Sequence, residues 1–356
     1  MKSNAGLRLV LWSIVALALI ALLVWGVWLR PNTTVPQTLS DSGGFGSTAS
    51  RGSDGEEPAH ASDGERAAVV DMGTEPLGEE TQVSAVGALS IEWLAGEVRV
   101  VAYDGTDIAF SDDYSGNETY RTVYETEGDE LTIRYCEKMK LAVINPPEKT
   151  LLVRVPAALL KTLEVDTTSA KVEISGLCVE ELDAQSMSGA LSLHTCSADE
   201  IELETTSGSI SCDTLTVPEL QVKSVSGGVN LYACGADALQ VSTTSGSIGA
   251  QLLDVRAVSA KSMSGELNLD GTMQEAELET TSGAVTAAFA AQPERLDVDT
   301  ISGEVTVTLP EDSRFRCDMS STSGRLESEL AVQGAGSDAP EYRFHTTSGN
   351  VCLKSR

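Results

Sequence analysis

The chain has 356 residues, a net charge of −29 and a pI near 4.3. Such a charge excludes nucleic acid as a partner, because the cations that neutralise phosphates are missing, and it sets the protein against anionic headgroups and anionic wall polymers. Aromatic residues make up 4% of the chain, so a core has to be built from thin layers of Ala, Val, Leu and Ile.

Residues 9–29 read LVLWSIVALALIALLVWGVWL, 21 residues without a charge. A helix of that length covers ~31 Å, enough for a bilayer core. Trp12, Trp25 and Trp28 lie toward its ends, where indole rings prefer the interface. Lys2 and Arg8 precede the run, so residues 1–8 are expected in the cytoplasm and the rest of the chain outside the cell. A cleaved signal peptide is the rival reading. The run is longer than a signal core, and the bulky WGVWLRP offers no small-residue cleavage site, which favours an uncleaved single-pass anchor. Residues 30–80 are rich in Ser, Gly, Asp, Glu, Thr and Pro and cannot bury enough surface to offset the entropy of ordering. They read as a disordered linker with a reach of ~35–42 Å.

From residue 81 the pattern becomes short alternating stretches. LSIEWLAGEVRVVAYDGTDIAF, ELTIRY and KTLLVRVP alternate apolar and polar residues between Gly and Asp punctuation, the signature of β-strands. Residues 81–160 are therefore expected to be a β-rich N-terminal part. No amphipathic helix of ordinary length follows the anchor.

A regular mark then begins. Ser, followed by Gly in all but the first case, recurs at Ser169 (followed by Ala170), Ser188, Ser207, Ser226, Ser245, Ser264, Ser282, Ser302, Ser323 and Ser348, with successive gaps of 19, 19, 19, 19, 19, 18, 20, 21 and 25. Fixed periods of this size indicate a solenoid. The third and fifth positions after the mark are apolar, as in Val172/Ile174 and Leu191/Leu193, and so are the sixth and fourth before it, as in Leu163/Val165 and Leu182/Ala184. Each unit thus holds two short strands with one apolar inner face each. Two positions before the mark stands Thr or Ser, from Thr167 to Thr346, which parity also points inward. Stacked hydroxyls can bond one another up the solenoid, which makes a small polar residue tolerable there.

The pairs Ser188–Gly189, Ser207–Gly208, Ser226–Gly227, Ser245–Gly246, Ser264–Gly265, Ser282–Gly283, Ser302–Gly303, Ser323–Gly324 and Ser348–Gly349 read as a structural corner motif. Glycine there, at Gly227 and Gly246 for instance, is expected to supply a positive φ. A serine nucleophile is not expected, since no His or Asp repeats beside the mark.

The exact hexapeptide TTSGSI occurs at Thr205–Ile210 and again at Thr243–Ile248, two mark intervals later, and the residue before the mark alternates: Thr168, Met187, Thr206, Val225, Thr244, Met263, Thr281, Ile301. Two coil lengths stay open. A 19-residue coil places opposite charges on neighbouring strands along Glu204, Lys223, Ser242, Lys261 and Glu279; a 38-residue coil stacks Lys223 on Lys261. The charges favour the shorter coil. Seven scattered cysteines contain no CxxC pair, and His60, His194 and His345 form no motif, so neither a zinc site nor a full disulfide framework is expected. The 19-residue coil would allow a Cys178–Cys196 bridge, the 38-residue coil a Cys196–Cys234 bridge. No cofactor and no metal is expected. No glycine- and aspartate-rich calcium nonapeptide occurs, so folding should not need calcium.

The stretch LLVRVPAALLKTLEVDTTSAKVEISGL, with SMSGALSL, TTSGSISC, SVSGGVNL and TISGEVTV, resembles the bacterial putative-adhesin family of β-strand repeat proteins, a domain of unknown function, over residues ~85 to 356. Many members carry an acidic residue just after Ser-Gly. Here those positions are Ser209, Gly228, Ser247, Glu266, Ala284 and Glu304, so a ligating column of carboxylates does not carry over. The resemblance implies a β-helix-like fold and an envelope location, and no established activity.

The expected fold class is all-β: a parallel β-solenoid of about ten 19-residue coils over residues 161–356, a β-rich cap before it and one N-terminal transmembrane helix. The leading functional reading is a membrane-anchored, extracytoplasmic binding or scaffold protein of a bacterial envelope, without catalysis. Its partners would be the cell membrane, through residues 9–29, and an extracellular protein or polysaccharide. A regulatory or sensor partner in an envelope-stress response is the alternative, and it needs a further membrane protein because residues 1–8 are too few to signal. A carbohydrate-active enzyme is remote, since it needs paired carboxylates in a cleft.

Overall fold

The computed structural model describes residues 75–84, 86–137, 145–157, 160–332 and 339–356. The expected cytoplasmic tail, the apolar run 9–29 and nearly all of the linker lie outside them. Among the described residues no helix is long and apolar enough to cross a membrane. Apart from one 3-10 turn at Glu118–Tyr120, the described elements are β-strands.

The alternation read in the sequence becomes two facing parallel sheets. One carries the strands that precede each mark, the other the strands that follow it. Thr162–Thr167 pairs with Glu181–Ser186, Leu163 opposite Leu182, and that strand pairs with Glu200–Thr205, Leu182 opposite Ile201. Opposite residues are thus one mark interval apart, which establishes the 19-residue coil and excludes the 38-residue one. The second sheet has the same register, with Val172 opposite Leu191 and Leu191 opposite Ile210. In the middle coils, Val229–Thr243, Ile248–Ser262 and Leu267–Thr280 run unbroken from one sheet into the other. The expected opposite charges do meet across coils, though Lys223 reaches the diagonal Glu202 at 2.8 Å, while Lys261 takes both Glu277 and Glu279.

Between the sheets runs a single core of stacked aliphatic rows, such as Leu163, Leu182, Ile201 and Leu220, all buried. Small and branched side chains suffice because the gap between the sheets is thin. The buried rings gather at the ends of the stack: Trp93, Phe110 and Tyr135 at one, Phe289, Phe315, Tyr342 and Phe344 at the other. End coils have a neighbour on one side only, and broad rings cover their exposed flank.

The parallel stack extends below residue 161, through 88–103, 130–134 and 149–156, and at both ends its order departs from chain order. Ala88–Trp93 lies between Glu130–Arg134 and Thr162–Thr167. Gly96–Tyr103 likewise lies between Lys149–Pro156 and Lys171–Ser175. At the far end Glu341–Thr346 is inserted between Arg295–Thr300 and Arg316–Ser321, and Val351–Ser355 between Val305–Leu309 and Leu326–Ser328. The coil marked by Ser348 therefore sits between the coils marked by Ser302 and Ser323. Successive stacking, as the sequence suggested, fails there: at each end of the solenoid one coil is tucked in and covered by its neighbour in sequence.

Antiparallel strands close the N-terminal end. Ile108–Asp112 pairs with Lys149–Pro156, Thr81–Val83 with Ile108–Asp112, and Val123–Glu127 with Glu130–Arg134. Lys149 is buried there. Its ammonium donates to Tyr120 O at 2.8 Å, Thr122 Oγ1 at 2.7 Å and Tyr135 O at 2.6 Å, and lies over the Trp93 and Tyr135 rings. All three of its donors are used, which makes a buried cation tolerable, although burial still lowers its pKa to about 8.

Candidate functional site

The Ser-Gly pairs form a column along one edge of the solenoid, in the stacking order Ser188, Ser207, Ser226, Ser245, Ser264, Ser282, Ser302, Ser348, Ser323. The marks join by backbone bonds such as Ser207 N to Met187 O at 3.1 Å and Ser226 N to Thr206 O at 3.0 Å. The glycines do not work as expected. None of Gly189, Gly208, Gly227, Gly246, Gly265, Gly283, Gly303, Gly324 or Gly349 lies in the left-handed region; the positive-φ glycines among the described residues are Gly96, Gly128, Gly176 and Gly271. What requires glycine is close approach: a Cβ on Gly227 would stand 1.6 Å from Gly208 O, and one on Gly246 2.0 Å from Gly227 O. The inward hydroxyls do not use the bonding that stacking makes available to them. Rather than bonding one another, most accept from their own corner: Gly189 N donates to Ser186 Oγ at 2.7 Å and Gly246 N to Thr243 Oγ1 at 3.0 Å. Among the described residues the same bond recurs at every Ser-Gly mark except Ser226. It satisfies a buried N–H locally, in the manner of a Ser/Thr turn. Beside the column, Met187, Val225, Met263 and Ile301 are exposed, with a threonine between each.

Left-handed backbone belongs to the other corner, seven residues after the mark: Gly176, then Thr195, Thr214 and Ala233 with φ between 52° and 57°. The Cys178–Cys196 bridge that a 19-residue coil would allow is not made, and both thiols are free. Cys178 is exposed and level with Ser197, whereas Cys196 is buried. They stand one residue out of register, and the strand's parity sends their side chains to opposite faces. Burial raises the thiol pKa of Cys196, Cys212 and Cys234.

The two outer faces differ. On the sheet that precedes the marks, Glu164, Asp183 and Glu202 are consecutive neighbours, as are Asp166, Gln185 and Glu204. Burial first, then the carboxylates of Glu202, Asp166 and Glu164, push the Asp183 carboxyl up to about 7, against a hydrogen bond from Gln185. A face of this kind repels anions.

The sheet that follows the marks carries a shallow groove of 660 Å³. Since the third and fifth positions after each mark point inward, the fourth and sixth point outward, and all of them from His194 to Ala288 line it. The sixth-position row runs His194, Asp213, Tyr232, Gln251, Asp270 and Ala288. The fourth-position row runs Ser192, Ser211, Asn230, Gly249, Asn268 and Thr286 on the same strands. Tyr232 stands near the middle and is 56% exposed. Gly249, Ser211 and Ala288 leave the floor low. Asp213 lies 3.9 Å from His194 Nδ1, and further along the row Asp270 pairs with Arg356 at 3.3 Å. The marks singled out in the sequence lie at the corner, not in this groove. The parity that located the inner face also locates these outward rows, but nothing in the sequence sets them apart from the outward rows of the acidic sheet. Among the described residues no group of three or more His, Cys, Asp or Glu is placed to hold a metal ion.

The model of the family described as Toastrack DUF4097 matches residues 88–271 and 236–354. The chain belongs to the Toastrack DUF4097 family. Two solved structures match this Toastrack chain over most of its length. A putative cell adhesion protein from Clostridium sporogenes is 12% identical, covering 78% of this chain and 98% of its own, with a TM-score of 0.21. A putative lipid binding protein from Parabacteroides distasonis is 15% identical, covering 77% and 95%, with a TM-score of 0.39. No curated protein matches the chain.

Proposed function

We propose that this Toastrack protein is an envelope binding protein: a single-pass anchor at residues 9–29, a linker over 30–80, and a rigid two-sheet solenoid outside the cell that binds an extended partner without chemistry. The observation that carries the reading is the groove, whose outward polar side chains cross six strands from His194 to Thr286. A surface built on parallel strands is stiff, so its groups are held in place before a ligand arrives, and little ordering entropy is lost on binding. Repeated coils suit repeated partners. The apolar run without a charge supports the anchor, and its leading Lys2 and Arg8 support the orientation.

Topology is the first test. Protease added to intact cells should remove the solenoid and leave a membrane fragment that begins at residue 1. A solenoid protected until the cells are broken, or a mature N-terminus between residues 30 and 80, would overturn the anchored, outward-facing reading.

A further inference from the structure

We infer that the groove on the sheet following the marks is a binding site for a neutral, hydroxyl-rich polysaccharide chain, lying across the strands with one sugar ring on Tyr232. The inference rests on the proposed binding role and names its ligand class.

The lining groups exclude the other classes in turn. Asp213 and Asp270 face the groove, and the basic side chains nearest them, His194 and Arg356, already lie beside these carboxylates. An anionic polymer would meet these charges and a net charge of −29. An apolar ligand would have to desolvate carboxylates and the carboxamides of Asn230, Gln251 and Asn268 without replacing their hydrogen bonds. An extended peptide adds to a sheet through a free edge, but the groove is a sheet face, whose strands from Leu191–His194 to Val285–Phe289 pair with neighbours on both sides. No row of unpaired backbone groups is offered there.

What remains is a ligand that both donates and accepts along its whole length and has a flat C–H face. Carboxamides and carboxylates at regular spacing match hydroxyl pairs, and the Tyr232 ring, exposed on a rigid strand, is a platform for the apolar face of a pyranose. Gly249 stands next to Asn230 and diagonal to Tyr232. It carries no side chain, so a ring can settle beside the tyrosine. The row from His194 to Ala288 spans ~24 Å at the ordinary strand spacing. A pyranose chain advances by close to one strand spacing per unit, so about four or five units fill the groove.

The test uses the full chain in detergent micelles and neutral oligosaccharides of one to seven units from β-glucan, chitin and mannan series, with binding read by titration. Affinity in at least one series should rise with length and level off near five units. Tyr232→Ala should weaken it about tenfold, and Gly249→Thr, which puts a branched side chain on the groove floor, should weaken it at least as much. Both residues are outside the core, and an unchanged thermal midpoint confirms that the fold is kept. Glu202→Gln, on the opposite sheet, should bind like the parent. Absence of binding in all three series, binding indifferent to both groove variants, or binding to extended peptides alone would each overturn the assignment. These outcomes are separate from topology. A protein found inside the cell could still bind glycan in micelles, and a correctly displayed one could fail to.

Discussion

Replacing Gly227 by alanine should cost about 2–4 kcal/mol, although no mark glycine lies in the left-handed region. The added Cβ would stand 1.6 Å from Gly208 O and 2.6 Å from its carbon, while real Cβ contacts essentially never fall below 3.0 Å. One coil must therefore retreat from the next by more than an ångström at this corner. The bonds that join the same two coils there, Val225 N to Thr205 O at 3.1 Å and Ser226 N to Thr206 O at 3.0 Å, would be stretched or lost. Each contributes about 1 kcal/mol, and a buried partner left unsatisfied costs about 1–3 kcal/mol more. The neighbouring residue supplies the control. A Cβ on Gly228 would meet nothing nearer than 3.7 Å, so Gly228→Ala should be neutral within about 0.5 kcal/mol. Asparagine separates close approach from backbone strain. It tolerates a positive φ, so it would rescue a strained corner, but its Cβ collides just as alanine's does. Urea melts of the full chain in micelles, followed by circular dichroism, give the ranking. If Gly227→Asn melts like the parent while Gly227→Ala does not, or if Gly227→Ala melts like Gly228→Ala, the close-approach explanation is wrong.

Thr214 is a β-branched residue at φ 57°, so Thr214→Asn should raise the urea midpoint, by about 1 kcal/mol of stability; a lower midpoint would show that no strain is stored there. Because the Asp183 pKa rises from 3.8 to about 7 on folding, the folded chain holds a proton that the unfolded chain has released between those values. Stability from this site is present at low pH, falls as pH rises through that window and stays reduced above it. Asp183→Asn should flatten that part of the stability–pH curve, and an unaltered slope would remove the assignment. A thiol reagent added to the native protein should modify Cys178 and spare Cys196, Cys212 and Cys234 until denaturant is added; peptide mapping that finds a native Cys178–Cys196 bridge would contradict their opposite orientations.

The sequence by itself determined the strands, the parity of their faces and the place of the corner. Leu163, Val165, Val172 and Ile174 are buried as their spacing from Ser169 requires, and so are Thr167, Thr205 and Thr346 two positions before their marks. Alternation is a local property, and a hydrophobic face is written into every second residue. Tertiary structure decided what depends on which strand lies beside which. It chose the 19-residue coil over the 38-residue one, since both keep the same parity and differ only in the neighbour. It replaced a left-handed corner by a contact between Gly227 and Gly208, which lie a full coil apart and are invisible to each other in any local window. It placed the Ser348 coil between those of Ser302 and Ser323, an exchange that mark intervals along the chain do not show. The groove belongs to the same class. Outward positions can be read from parity, yet a concave surface needs low residues such as Gly249 and Ser211 beside a tall one such as Tyr232, and only stacking of the coils puts them side by side.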